Sequence, residues 1–115
     1  MNGARASAGL APLATDGRLG SFASTWSATM AKGNTLVHSD LAANLSQPSW
    51  SSAYTSLGEN LYTGGAGSAA NVVTDWMASS AHRREILQAS YDRVGVGVVV
   101  SGNRLWVTAE FATAR

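Results

Sequence analysis

Apolar residues follow two rhythms along this chain, and the change of rhythm separates helical from extended segments. Between Asp16 and Lys32, Leu19, Phe22, Ala23, Trp26 and Met30 recur at the three- and four-residue steps that line one face of an α-helix. Thr15 or Asp16 is available as the cap and Gly33 as the stop. A second helix is predicted from about Ala69 to Ser79, with Val72, Val73, Trp76 and Met77 on one broad face and Ser68 placed to accept the first amide hydrogen bonds. A third, shorter helix is predicted over Ser80 to Ala89.

Elsewhere the period is two. "RVGVGVVV" and "RLWVTAEF" alternate, are rich in valine and aromatics, and are joined by "SGN", which predicts an antiparallel hairpin with a three-residue turn. On the second of these strands Glu110 falls opposite Leu105, Val107 and Phe111 and is expected to be exposed. "LGENLYT" alternates as well: Leu57, Glu59, Leu61 and Thr63 share one face, and Gly58, Asn60 and Tyr62 share the other. Glu59 therefore points with leucines toward a core, which is costly unless the carboxylate is hydrogen-bonded, paired or metal-bound. "NLSQPSWSSAY" and "TGGAGS" read as polar and glycine-rich surface loops. Trp26 and Trp76 belong to the core by their spacing, while Trp50, in the serine-rich loop, is a candidate for binding or packing.

Composition narrows the classes. A chain of 115 residues makes one domain, and 45% hydrophobic against 13% charged residues describes a globular rather than a disordered protein. The net charge is +1, and seven arginines and one lysine are scattered apart from the Arg83–Arg84 pair, which excludes nucleic acid as a partner. There are no cysteines, so a metal site would have to use histidine, carboxylate or water. No run approaches the roughly 20 apolar residues of a membrane span. "MNGARASAGL" lacks the long apolar stretch of a signal peptide, and Met1 reads as a start placed on a trimmed domain. A monomer is expected.

Helical geometry over Ser80 to Ala89 puts His82, Glu85, Ile86 and Ala89 on one side, so His82 leans toward the body of the protein. The other histidine, His38, follows an apolar pair in "TLVHSDL". Taken singly, each reads as a hydrogen-bonded structural residue. Arg83 and Arg84 read as a solvated face or as charge partners of Asp75 and Glu85.

"LVHSDL", "GENLYTGG", "NVVTDWMASSAHRREIL", "YDRVGVGVVV" and "LWVTAEFA" come in an order and at a spacing that resembles the CAP superfamily of cysteine-rich secretory, antigen-five and pathogenesis-related proteins. The closest likeness is to its cysteine-free bacterial branch, the SCP domain. "GARASAGLAPL" resembles the family's opening helix and loop, cut short, and the likeness covers nearly the whole chain, residues 1–115, as one domain. The resemblance implies an α+β fold, a three-layer α-β-α sandwich around a small antiparallel sheet, with a cleft lined by two histidines and two glutamates. Carried over by position, it implies His38, Glu59 and His82 in that cleft. The second glutamate is replaced by Ser79, which weakens any mechanism that needs two carboxylates.

The function implied is a secreted, extracytoplasmic, non-enzymatic binding module, with no catalytic residue assigned and no cofactor required. His38 and His82 would be the ligands of a weakly held divalent metal such as zinc, and the partner would be a small molecule, a lipid or a protein. Glu59 can also orient one imidazole and leave its other nitrogen free. Three alternatives stand beside this reading. His38, Glu59 and His82 can form a purely structural polar network. A hydrolase can be built from a histidine base with Ser39 or Ser79 as nucleophile, or from a metal-bound water, although neither "GxSxG" nor "HExxH" is present. An adhesive module would rely on the loop from Asn44 to Ser56 rather than on the cleft.

Overall fold

The computed structural model describes all 115 residues. In chain order they form α1 (Asn2–Ser7), β1 (Ala14–Thr15), α2 (Gly17–Gly33), α3 (Leu41–Leu45), α4 (Pro48–Ser51), β2 (Tyr54–Gly65), a 3-10 turn (Ala66–Asn71), α5 (Val72–Ala78), α6 (Ser80–Ile86), β3 (Arg93–Ser101) and β4 (Arg104–Ala114). The strands make one sheet in the order β1-β3-β4-β2. β4 is antiparallel to both neighbours, and β1 adds a two-residue parallel contact to β3. α2 covers one face and α5 and α6 cover the other, which gives the three layers of an α+β sandwich.

α2 forms because its apolar stripe has a sheet to rest on and because its start is capped. The Asp16 carboxylate accepts a hydrogen bond from the Leu19 amide at 3.0 Å. The helix buries Leu19, Ala23, Ser27 and Met30. It runs through Gly33 and ends at Asn34, whose φ of 49° supplies the left-handed residue expected of the glycine. The alternating glycines of β3 have a steric cause. A Cβ on Gly97 would lie 2.2 Å from the Ser24 backbone nitrogen, and one on Gly95 would lie 2.1 Å from that of Gly20. Ser27 seals this close contact by donating to the Gly97 carbonyl at 2.9 Å, its hydroxyl lying 2.7 Å from that of Thr108.

Other expectations shift in detail. Ser101 pairs with Arg104, so the hairpin turn is the two residues Gly102 and Asn103, with Gly102 at φ 60°. The region expected to be helical from Ala69 is a 3-10 turn until Val72, and the Ser68 hydroxyl donates to the Gly65 carbonyl instead of capping a helix. The serine-rich stretch is not all loop: the end of α3, capped by Asp40, runs into its first two residues, and α4, opened by Pro48, lies within it. Trp50 lies there edge-on to Phe22, with ring centroids 5.5 Å apart, and acts as a packing residue.

Arg5 is the largest surprise. It is 1% exposed, and its guanidinium donates to the carbonyls of Ala11, Ile86, Gln88 and Tyr91 at 2.8 to 3.1 Å. It ties α1 to the segment between α6 and β3, a planar donor satisfying backbone acceptors that no regular element uses.

Candidate functional site

In β2 each residue of the "GEN" motif has a separate task. Gly58 leaves room for what lies on the α6 side: a Cβ there would meet the Tyr91 hydroxyl at 2.2 Å and a Glu85 carboxylate oxygen at 2.5 Å. Asn60 faces the same side and donates from Nδ2 to the His82 carbonyl at 2.9 Å. Glu59, between them, faces the α2 side, and its side chain is 2% exposed.

The Glu59 carboxylate is met from above by the extended segment linking α2 to α3. His38 Nδ1 lies 2.8 Å from Oε1, the Ser39 amide donates to the same oxygen at 3.0 Å, and the Ser39 hydroxyl donates to Oε2 at 2.5 Å. The segment is fixed on either side, by the Trp26 indole N–H donating to the Val37 carbonyl and by Asp40 capping α3. The His38 side chain remains 65% exposed. Its ring stands at the surface with Nδ1 tied to the buried carboxylate and with Nε2 bonded to nothing else in the chain.

From below, Glu59 is met by Glu110, its direct partner in the β2–β4 register. The expectation that Glu110 is exposed is corrected: it is 2% exposed, because the face opposite Leu105, Val107 and Phe111 is the one α2 covers. Burial, together with the hydrogen bond to Glu59 and the negative charge there, pushes Glu110 up to about 11. Burial also acts to raise Glu59, but hydrogen bonds from Glu110, Ser39 and His38 prevail and leave it below its ordinary value. At neutral pH the pair is thus one acid and one carboxylate sharing a proton, with Glu110 Oε1 lacking any partner. Strand alternation places Glu110 on the same face as Thr108, and the packing of α2 across that face buries both.

The structure brings His38, Ser39 and Glu59 together, adds Glu110, and does not draw His82 or Ser79 into the bonded network. The His82 backbone rests against Asn60 on the other face of β2, and its half-buried imidazole makes no hydrogen bond. Ser79 precedes α6, where its carbonyl accepts from the Arg83 amide while its hydroxyl makes no cap bond. Glu85 accepts from the Tyr91 hydroxyl at 3.0 Å rather than pairing with Arg83 or Arg84, and burial and this carboxylate together push Tyr91 up. No group of three or more histidine, cysteine, aspartate or glutamate side chains is placed to hold a metal. The one sizeable hollow, about 170 Å³, lies on the α5 side of the sheet, is lined only by apolar residues such as Val72, Trp76 and Val98, and includes none of the candidate site residues.

A family model described as "CAP: Cysteine-rich secretory protein family" matches residues 1–111. The chain belongs to the CAP family. Three solved structures resemble this CAP domain. An outer surface protein from Borrelia burgdorferi superposes with a TM-score of 0.86 at 18% identity, over 99% of this chain and 86% of the other. An extracellular protein containing an SCP domain from Bacillus anthracis gives 0.78 at 24% identity, over 96% of this chain and 37% of that one. A cysteine-rich secretory protein from Staphylococcus aureus gives 0.70 at 24% identity, over 97% and 35%. The CAP domain thus spans about a third of the length of the last two. No curated protein matches the chain. These relatives are bacterial and are described as extracellular, secretory or surface proteins, and no helix of this CAP domain is long and apolar enough to cross a membrane.

Proposed function

We propose that this CAP domain is a non-enzymatic, extracytoplasmic binding module whose recognition centre is the His38 imidazole seated on Glu59. The observation that carries the reading is the contrast between an exposed ring and a buried, fully engaged carboxylate beneath it. An ionised Glu59 accepts the Nδ1 proton, which fixes the tautomer and leaves Nε2 to meet a polar group of a small molecule or a protein. The buried proton on Glu110 holds the carboxylate in place from the other side.

The donor set does not fit a resident zinc ion. Both oxygens of Glu59 are engaged by His38 and Ser39, and His82 stands outside that network, so His38 supplies one free nitrogen where a stable site needs three or four ligands. Hydrolysis fares no better, because the Ser39 hydroxyl is bonded to Glu59 and not to an imidazole that could take its proton.

The test is a pair of measurements on wild type and His38→Ala. Titration of a metabolite and peptide panel, followed by amide and imidazole NMR shifts, is expected to perturb Val37 to Asp40 and the His38 ring in wild type only. A peptide and ester panel is expected to show no turnover, and zinc chloride no heat beyond dilution. Turnover abolished by His38→Ala or Ser39→Ala would establish the hydrolase instead, and zinc heat abolished by a His38→Ala/His82→Ala double variant would establish the metal site.

A further inference from the structure

His38 is carried by residues 35–40, a segment without regular secondary structure that buries neither Leu36 nor Val37, which are 47% and 49% exposed. Hydrogen bonds, not burial, hold it in place. Asn34, at φ 49°, ends α2 and turns the chain back along the helix, where the Thr35 amide donates to the Met30 carbonyl at 3.1 Å. The chain then reaches Trp26, about two turns before the helix end, whose indole N–H donates to the Val37 carbonyl at 2.9 Å. Past Val37 the anchor is a single group, the Glu59 carboxylate, which meets His38 Nδ1, the Ser39 amide and the Ser39 hydroxyl.

Between the Thr35 anchor and the Glu59 anchors lie Leu36 and the peptide that joins Val37 to His38. The His38 amide donates to nothing in the chain, so the plane of that peptide is set by one bond, the one from Trp26 to the Val37 carbonyl. A peptide is rigid, and turning its plane changes φ of His38 and with it the direction of the Cα–Cβ bond. Glu59 therefore holds the Nδ1 end of the imidazole, while the peptide plane decides where the 65% exposed side chain points its Nε2 end. Both controls rest on one base. Trp26 packs against Met30, Leu61 and Trp106, and Leu61 lies two residues from Glu59 on the same face of β2.

We propose that Trp26 is a positioning residue of the recognition centre: by fixing the Val37–His38 peptide against α2, its N–H sets the direction in which His38 presents Nε2. The side chain suits the task. Its half-buried ring packs on the cluster, as its helical spacing led one to expect, and its one polar group is a donor that can only latch an acceptor. A ring already held in one direction loses less freedom when a ligand arrives, so the latch raises affinity without touching the ligand. This role rests on His38 being the recognition centre, but it is read out on the free protein, so its failure and the failure of that reading are told apart.

Trp26→Phe keeps an aromatic ring on the cluster and removes the N–H. Hydrogen exchange of the full chain is expected to show the Ser39 amide, which opens only when the segment leaves Glu59, exchanging about fivefold faster in the variant, the factor that one ordinary hydrogen bond is worth. The amides of the β3–β4 ladder are expected to keep their wild-type rates. Carbon relaxation of the His38 ring is expected to report a lower order parameter in the variant. A measurement on the wild type needs no substitution: the Trp26 indole proton is expected to exchange more slowly than that of Trp50, which is also half-buried but has no acceptor in the chain. An unchanged Ser39 amide and His38 ring in Trp26→Phe overturn the proposal. So does an acceleration shared equally by the β3–β4 ladder, which would make Trp26 a packing residue only, and so does a Trp26 indole proton that exchanges as fast as that of Trp50.

Discussion

Glu110→Gln asks whether the centre of the sheet holds a proton at neutral pH. The ordinary value for this side chain is 4.5, and in the folded protein it is pushed up to about 11. Above pH 4.5 the unfolded chain has released the proton while the folded chain keeps it, so folding takes a proton up. The group's contribution to stability is fully present below its unfolded value and is lost progressively as the pH rises toward the folded one. The slope is about 1.4 kcal/mol per pH unit, which gives a loss of about 2.7 kcal/mol between roughly pH 6 and 8. Over that window the result does not depend on how far above 8 the folded value lies. Glu59 works in the opposite sense: its folded value is depressed, so its contribution is present above the ordinary carboxylate range, is lost only as the pH falls through the folded value, and adds no slope near neutrality.

Glutamine has the same shape, keeps an N–H to donate to Glu59, and binds no proton. Urea unfolding of wild type and Glu110→Gln at three pH values across that window should therefore give a stability difference that shifts in favour of the variant by about 2.7 kcal/mol from the lowest to the highest. Parallel plots of stability against pH for the two proteins would refute the shared proton.

Two further substitutions test the packing described above. Gly97→Ala would push a methyl group into the backbone of α2 at Ser24 and is expected to cost about 3 kcal/mol or more, read as a lower urea midpoint, while the hairpin around Gly102 stays formed. Arg5→Met removes four donated hydrogen bonds, two of them fully buried, leaves the Gln88 carbonyl only the Tyr91 amide, and is expected to cost about 3 to 5 kcal/mol. Arg5→Lys should recover little, since one ammonium cannot span carbonyls from residues 11 to 91; full recovery of the melting temperature by lysine would show that charge, not the planar fork, is what matters.

The parts of this fold that repeat with a fixed period could be read in the sequence. The Leu19 to Met30 stripe, the β3–β4 alternation and the placement of Glu59 among leucines all follow from side-chain direction, and each is where it was expected. So is the meeting of His38 with Glu59, although it rested on a family likeness and not on any local rule. Contacts between elements far apart in the chain carry no such periodic signature. Arg5 looked like one more dispersed charge because its acceptors are loop carbonyls, which carry no residue-type signature. The burial of Glu110 has no local mark, because strand alternation tells which residues share a face but not what covers that face. The turn at Gly102 and the late start of α5 are shifts of one to three residues at element ends, where local preference is weakest.

β4 is the last strand to leave the ribosome, yet it lies in the interior of the sheet, with β3 on one flank and β2 on the other. β2 has no other strand to bond with, and its Glu59 waits for a residue 51 positions downstream. The sheet therefore cannot close before β4 is present, because β2 and β3 meet only through it, and folding waits on that long-range pairing.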